Sequence, residues 1–311
     1  MKKIAYFFSA FLPTLITLAV QLLAMALMVG IAMLFLFPVI PSLRQNGVGF
    51  DTLTTLLTDT NFNTCIMLIY SVSCILLFGM WYYRSCGGNF LPKVTETFHP
   101  LQIASVFVLV PGLQFFSSYL TEIVSAMFPE LLRQFEELEK MAGLDSHMSF
   151  ITILYAVIFA PLCEELIFRG VTMRLFRRAL PFWAANLLQA ALFGLLHMNW
   201  IQGIYAFALG LALGILCEKG GSIYYSMLLH ILFNFWGACI SQFLGNHIED
   251  TFPTAVMIFL VTIASLSIGS FLFFTGAKRK KQKRSSATSL NSPETFTRCT
   301  RNRDGSGEES L

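Results

Sequence analysis

Glu164 and Glu165 stand side by side in "PLCEELIFRG", and Arg169 follows Glu165 by four residues. Phe193 and His197 come next, in "ALFGLLHMNW", and then His230 and Asn234, in "LLHILFNFWG". All lie in or beside apolar runs, where an uncompensated carboxylate costs several kcal/mol or more. Glu165 and Arg169 are spaced i,i+4 with the acid N-terminal, the favoured orientation for an ion pair on a helix. Glu164 points about 100° away around the same helix, so it stays unpaired while Arg169 neutralises its neighbour. A carboxylate beside His197 in a partly dehydrated cavity is suited to act as general base on a water molecule. His230 and Asn234 offer donors to a developing oxyanion. A water activator facing oxyanion donors is the equipment for peptide hydrolysis without a covalent intermediate. Phe193 reads as packing against that site. Each piece also has a plain structural reading, as a solvated helix-end cluster or an interhelical hydrogen bond; the case rests on their meeting.

The elements that must bring them together are membrane helices. Of 311 residues, 55% are hydrophobic and 13% charged, with mean hydropathy +0.66. A soluble domain carries about 25% charged residues. The fold class expected is therefore all-α, a polytopic bundle of about eight transmembrane helices with an intramembrane polar cavity. Apolar runs place spans within 4–40, then about 65–83, 101–127, 149–168 and 182–197, 200–217, 223–243 and 252–274. The helix of the fourth run has no stop signal at Phe168 and continues to Pro181, which can open the next. The first run is too long for a cleaved signal peptide. Residues 129–147 form a charged helix expected at the membrane surface.

An even count puts both termini on one side. Lys2, Lys3, Arg84, Lys93, Arg174, Arg177, Arg178 and the run "KRKKQKR" at 278–284 all fall there, which satisfies the positive-inside rule and makes that side cytoplasmic. Asp51, Asp59, Glu249 and Asp250 fall opposite. The chain divides into an N-terminal membrane region with its surface helix (1–144), a core carrying the polar residues (145–245), a last span (246–277) and a basic, disordered tail (278–311). Cysteines 65, 74, 86, 163, 217, 239 and 299 form no CxxC pair and no metal spacing; they read as small reduced fillers.

Chain geometry makes convergence reasonable. If the helix of Glu164 turns near residue 180, Glu164 and His197 both lie about 24 to 26 Å from that turn. His230 and Asn234 share one helix face, two to three turns in from the cytoplasmic end. Ala206, Gly210 and Gly214 form a small-residue seam for close helix approach.

Glu-Glu-x-x-x-Arg, Phe-x-x-x-His and His-x-x-x-Asn, in that order on adjacent spans, resemble the CPBP family over about residues 145–245. These are the CAAX proteases and bacteriocin-processing enzymes, also called Abi or type II CAAX endopeptidases. The resemblance implies an eight-span helical bundle with a polar cavity. It implies that Glu164 activates water with His197, that His230 and Asn234 stabilise the oxyanion, and that Glu165 and Arg169 support the site. It points to a glutamate-type intramembrane endopeptidase with no cofactor. HExxH is absent and Asn is a poor zinc ligand, although two histidines and a glutamate leave zinc as the alternative. Expected partners are the bilayer and a membrane-associated peptide or protein, not nucleic acid; short loops suggest a prokaryotic cell membrane. A second function class is a non-proteolytic scaffold or bacteriocin-immunity protein using the same cavity. A third, a proton-coupled transporter, lacks a visible repeat.

Overall fold

The computed structural model describes residues 2–36, 55, 57–85, 98–141, 148–247 and 251–290, and among them every regular element is helical. The helices are α1 (Lys2–Ser9), α2 (Leu12–Leu36), α3 (Thr60–Ser85), α4 (Pro100–Met127), α5 (Pro129–Met141), α6 (Phe150–Ala179), α7 (Phe182–Leu196), α8 (Trp200–Gly220), α9 (Ile223–Phe235), α10 (Ser241–His247) and α11 (Phe252–Leu290). Seven helices, α1 and α2 counting as one, are long and apolar enough to cross a membrane; α7 is apolar but shorter. With α7 this is the expected polytopic bundle of about eight helices.

Helix starts follow local chemistry. The Ser149 side chain accepts from Thr152 N at α6, Asn199 from Gln202 N at α8 and Ser222 from Tyr224 N at α9, each satisfying a backbone donor that the first turn leaves open. Gly221 closes α8 in the left-handed region (φ 68°), which glycine enters without a Cβ clash. Inside α4, Pro111 interrupts the backbone ladder. Ser265 of α11 fills the adjacent gap: its Oγ accepts from Gly112 N at 2.9 Å and donates to the Val108 carbonyl. A span without water must resolve its broken bonds in this way, through a neighbour's hydroxyl.

Two apolar clusters make the core. One joins Phe78 of α3 to Ile167, Phe168 and Phe176 of α6 and Phe193 of α7. The other joins Val106 of α4, Leu213 of α8, Leu229 and Phe233 of α9 and Phe273 of α11. The candidate residues lie where α6, α7 and α9 bring these clusters together. The hairpin α7–α8 closes tightly over the expected seam: a Cβ on Gly210 would stand 3.1 Å from Ala190, and one on Gly214 would stand 1.8 Å from Asn186 Oδ1. The closest backbone approach is elsewhere, where a Cβ on Gly194 would lie 2.5 Å from the Gly203 carbonyl oxygen. Backbone cannot swing aside as a side chain can. Gly194→Ala is therefore expected to force α7 from α8 and cost about 1 to 3 kcal/mol, read as earlier thermal unfolding in detergent. Unfolding at the wild-type temperature would show that the hairpin yields.

α5 carries its charges on one face. Arg133 pairs with Glu130 at 2.7 Å and Glu137 at 3.7 Å, both exposed, while Leu131, Leu132, Phe135 and Glu139 are half-buried. The helix packs on α4 and α8. Burial, and then the charge of Glu136, push the Glu139 carboxyl up to about 7. A carboxyl raised above its ordinary value favours the protonated form in the folded state. Its contribution to docking is complete below the ordinary carboxylate range and is lost as pH rises through about 7. Amide protection across α5, corrected for the intrinsic base-catalysed rate at each pH, should thus be higher on the acid side of neutrality than on the alkaline side. Glu139→Gln should abolish the difference; a difference that persists in the variant would contradict this.

α11 runs on through the basic residues to Leu290. Consecutive Lys, Arg and Gln are good helix formers and simply extend the span. Residues 291–311 lie outside the described residues, as do Asp51, Cys86, Lys93, 142–147, Glu249, Asp250 and Cys299. The five described cysteines are free, with Cys74 and Cys163 buried.

Candidate active site

α6 supplies the two glutamates and the arginine. It is one continuous helix with two π-helical stretches, Tyr155–Phe159 and Leu166–Thr172, the second starting directly after Glu165. Such stretches cluster at functional sites because an extra residue per turn re-aims the side chains around them. Arg169 Nη1 donates to Glu165 Oε1 at 2.8 Å. Both side chains are 0% exposed. The guanidinium also donates through Nη2 to the Gly210 carbonyl at 3.2 Å and lies over the Phe193 ring, 4.6 Å from its centroid. Arg169 and Gly210 each sit ten residues before the ends of their helices, Ala179 and Gly220, about 15 Å in from the basic end of the bundle.

His230 is the junction. Its Nδ1 lies 2.9 Å from Glu165 Oε1 and its Nε2 lies 3.6 Å from Glu164 Oε2. The His230 side chain is 3% exposed and that of Glu164 20%. The two adjacent carboxylates thus differ as expected: Glu165 is sealed and held by a guanidinium, whereas Glu164 retains access. The imidazole within ion-pair reach of Glu164 is that of His230 rather than His197.

His197 caps the C-terminal end of α7. Its Nδ1 is 2.9 Å from the Phe193 carbonyl oxygen. A carbonyl can only accept, so Nδ1 carries a proton; in the neutral ring Nε2 is then the acceptor. The next residue, Met198, takes a left-handed conformation (φ 54°) that side chains other than glycine seldom adopt, and Asn199 caps α8 at once. This tight junction fixes the imidazole at the end of α7, and strain of this kind gathers at functional sites. Phe193 does more than fill space. Its ring is edge-on to His197 at 5.0 Å, to His230 at 5.7 Å and to Phe168 at 5.1 Å. It sets the spacing between the two imidazoles and the buried guanidinium.

Asn234, one turn beyond His230, donates from Nδ2 to the Ala156 carbonyl at 2.8 Å. Ala156 belongs to the first π-helical stretch, where a carbonyl is released from the regular ladder. One amide N–H of Asn234 is therefore committed and one remains to donate elsewhere.

Two residues escaped the sequence reading. Gln189 donates from Nε2 to the Gly210 carbonyl at 3.0 Å, the same oxygen that accepts from Arg169, and to Asn186 Oδ1 at 2.8 Å. Asn186 donates to the Leu211 carbonyl at 3.1 Å. Both side chains are buried. Their signal was present as an i,i+3 polar pair in the otherwise apolar "FWAANLLQAALFGLL".

Among the described residues no group of three or more His, Cys, Asp or Glu side chains is arranged to hold a metal ion. Glu165, the third donor beside Glu164 and His230, is occupied by Arg169.

Comparison with protein families matches residues 146–236 to the family described as Type II CAAX prenyl endopeptidase Rce1-like. Comparisons with curated proteins and with solved structures gave no match. The matched segment runs from the start of α6 to the end of α9 and contains Glu164, Glu165, Arg169, Phe193, His197, His230 and Asn234. Over residues 146–236, which hold the three ordered motifs, the chain is thus similar to the type II CAAX prenyl endopeptidases, a family of proteases.

Proposed function

We propose that the protein is an intramembrane endopeptidase that cuts a peptide bond of a membrane-associated protein or peptide, with Glu164 as the base. One observation carries this reading: of two neighbouring carboxylates, one is locked by Arg169 and fully buried while the other is accessible beside an imidazole. Carboxylates only accept, and Glu165 takes the Nδ1 proton of His230. On this reading a second ring proton sits on His230 Nε2, which stands 3.6 Å from Glu164, so that an N–H faces the site and Glu164 acts as the base.

Glu164 takes a proton from a water whose other hydrogen is held by His197 Nε2, and the water oxygen attacks the carbonyl carbon. The carbonyl electrons move to oxygen, where His230 Nε2–H and the uncommitted N–H of Asn234 receive them. Collapse breaks the C–N bond, and Glu164 returns its proton to the departing amine. Water and amide are converted to a carboxyl and an amine, with Glu164 restored. The donor set favours a metal-free water, since Glu165 is not available as a ligand. The basic end is the cytoplasmic one by the positive-inside rule, which puts both termini and the nearer access to the site on that side, in a prokaryotic cell membrane.

The experiment is incubation of the reconstituted protein with a diverse library of membrane peptides, scored for new termini by mass spectrometry. Cleavage that persists in a chelator is expected. No cleavage of any peptide contradicts the reading, and cleavage by Glu164→Gln would favour a different base. Cleavage lost to chelator and restored by zinc would overturn the metal-free water.

A further inference from the structure

A cluster of lysines at the basic end of the bundle lies apart from the residues proposed for hydrolysis. At the basic end, the turn after α8 and the last turns of α11 enclose a pocket of about 360 Å³ lined by Lys219, Gly221, Phe274, Lys278, Lys280 and Lys281. Lys219, Lys278 and Lys281 are exposed. Lys280 is anchored, donating to the Gly220 carbonyl at 2.9 Å and standing over the Tyr225 ring at 5.5 Å. Among the described residues the acid at this end is Glu218, and Arg177 already holds it at 2.9 Å. Three exposed ammonium groups, those of Lys219, Lys278 and Lys281, therefore share one recess with the anchored Lys280.

The recess also sits at a defined level. α8 ends at Gly220, and the apolar residues of α11 give way to basic ones at Lys278. Below the lysines the wall of α11 turns apolar through Phe274 and Phe271, both exposed. Cationic heads above an outward apolar flank match an amphiphile, with its anionic group among the lysines and its chains along α11. Free phosphate would leave that flank uncovered. Clustered lysines at the membrane boundary attract anionic headgroups with about 1 kcal/mol for each cation.

We propose that this recess binds the phosphodiester headgroup of an anionic phospholipid and thereby fastens α11 to the α8–α9 turn. That turn leads into α9, which carries His230 and Asn234.

The test uses the full chain in detergent micelles, with added phosphatidylglycerol, phosphatidylcholine, inorganic phosphate or the water-soluble headgroup glycerophosphoglycerol. Retained lipid is read by native mass spectrometry and stabilisation by thermal unfolding. Phosphatidylglycerol should be retained and should stabilise; phosphatidylcholine should do neither, and phosphate and the bare headgroup should compete weakly. The triple variant Lys219→Gln, Lys278→Gln, Lys281→Gln keeps the anchored Lys280. It should bind phosphatidylglycerol about tenfold more weakly or worse. A variant of equal charge loss outside the recess, Lys2→Gln, Lys3→Gln, Arg279→Gln, should bind as the wild type does. Equal loss in that second variant would mean diffuse attraction and overturn the site. Equal retention of phosphatidylcholine would overturn the anionic preference. Stabilisation by inorganic phosphate as large as by lipid would make this a soluble-anion site instead.

Discussion

Glu164→Gln should lower the rate of peptide cleavage by on the order of a hundredfold to ten-thousandfold, the usual span for loss of a general base, while leaving thermal unfolding close to that of the wild type. Glutamine keeps the shape of the side chain and can still touch His230, but it cannot take a proton from water. Stability should hold because Glu164 is 20% exposed and makes no bond to Arg169, and His230 keeps its 2.9 Å contact with Glu165. Replacement of its neighbour should behave differently. Glu165→Gln strips the buried guanidinium and the His230 ring of their shared anion, leaving a neutral amide oxygen between two donors, so stability and activity should fall together. A cleavage assay on reconstituted protein, run beside thermal unfolding, separates the two. Near-normal cleavage by Glu164→Gln would remove the base from the account.

Arg169→Met should produce the largest loss of stability, about 3 to 5 kcal/mol, because removing one partner of a buried pair leaves the Glu165 charge with His230 alone. The guanidinium has three engagements that methionine cannot copy: Glu165 Oε1, the Gly210 carbonyl and the Phe193 face. Adding Glu165→Gln to Arg169→Met should recover part of the loss, since the stranded charge is then gone although the hydrogen bonds are not restored. Denaturation followed by helical circular dichroism provides the measurement. If the single variant unfolds as wild type, or the double variant is no better than the single, the pair is not the structural clamp described here.

Much of this was legible in residue types and spacing. Glu165 and Arg169 announced their pairing by i,i+4 order, and apolar runs located the spans because a lipid-facing helix must be apolar along its length. The approach of α8 to α7 was written in Gly210 and Gly214. What the sequence did not disclose depends on side-chain direction. His230, not His197, reaches Glu164, and the π-helical stretch Leu166–Thr172 beside the glutamates has no compositional mark. Gly194 and Gly203 make the tightest backbone approach yet stand on different helices with no shared motif. Asn186 and Gln189 were readable as a polar pair but do no chemistry themselves; they steady the carbonyl that Arg169 uses. The extension of α11 through the lysines reflects helix propensity overriding charge repulsion.

The central claim is geometric: a water on Glu164 and an oxyanion facing His230 and Asn234 must share one carbonyl. The most direct measurement is an experimental structure with a peptide analogue whose tetrahedral phosphinate replaces the scissile bond. One phosphinate oxygen should lie within about 3 Å of the Glu164 carboxyl and the other within about 3 Å of His230 Nε2 and Asn234 Nδ2. An analogue bound with both oxygens turned from Glu164, or a metal ion standing between them and the carboxyl, would contradict it.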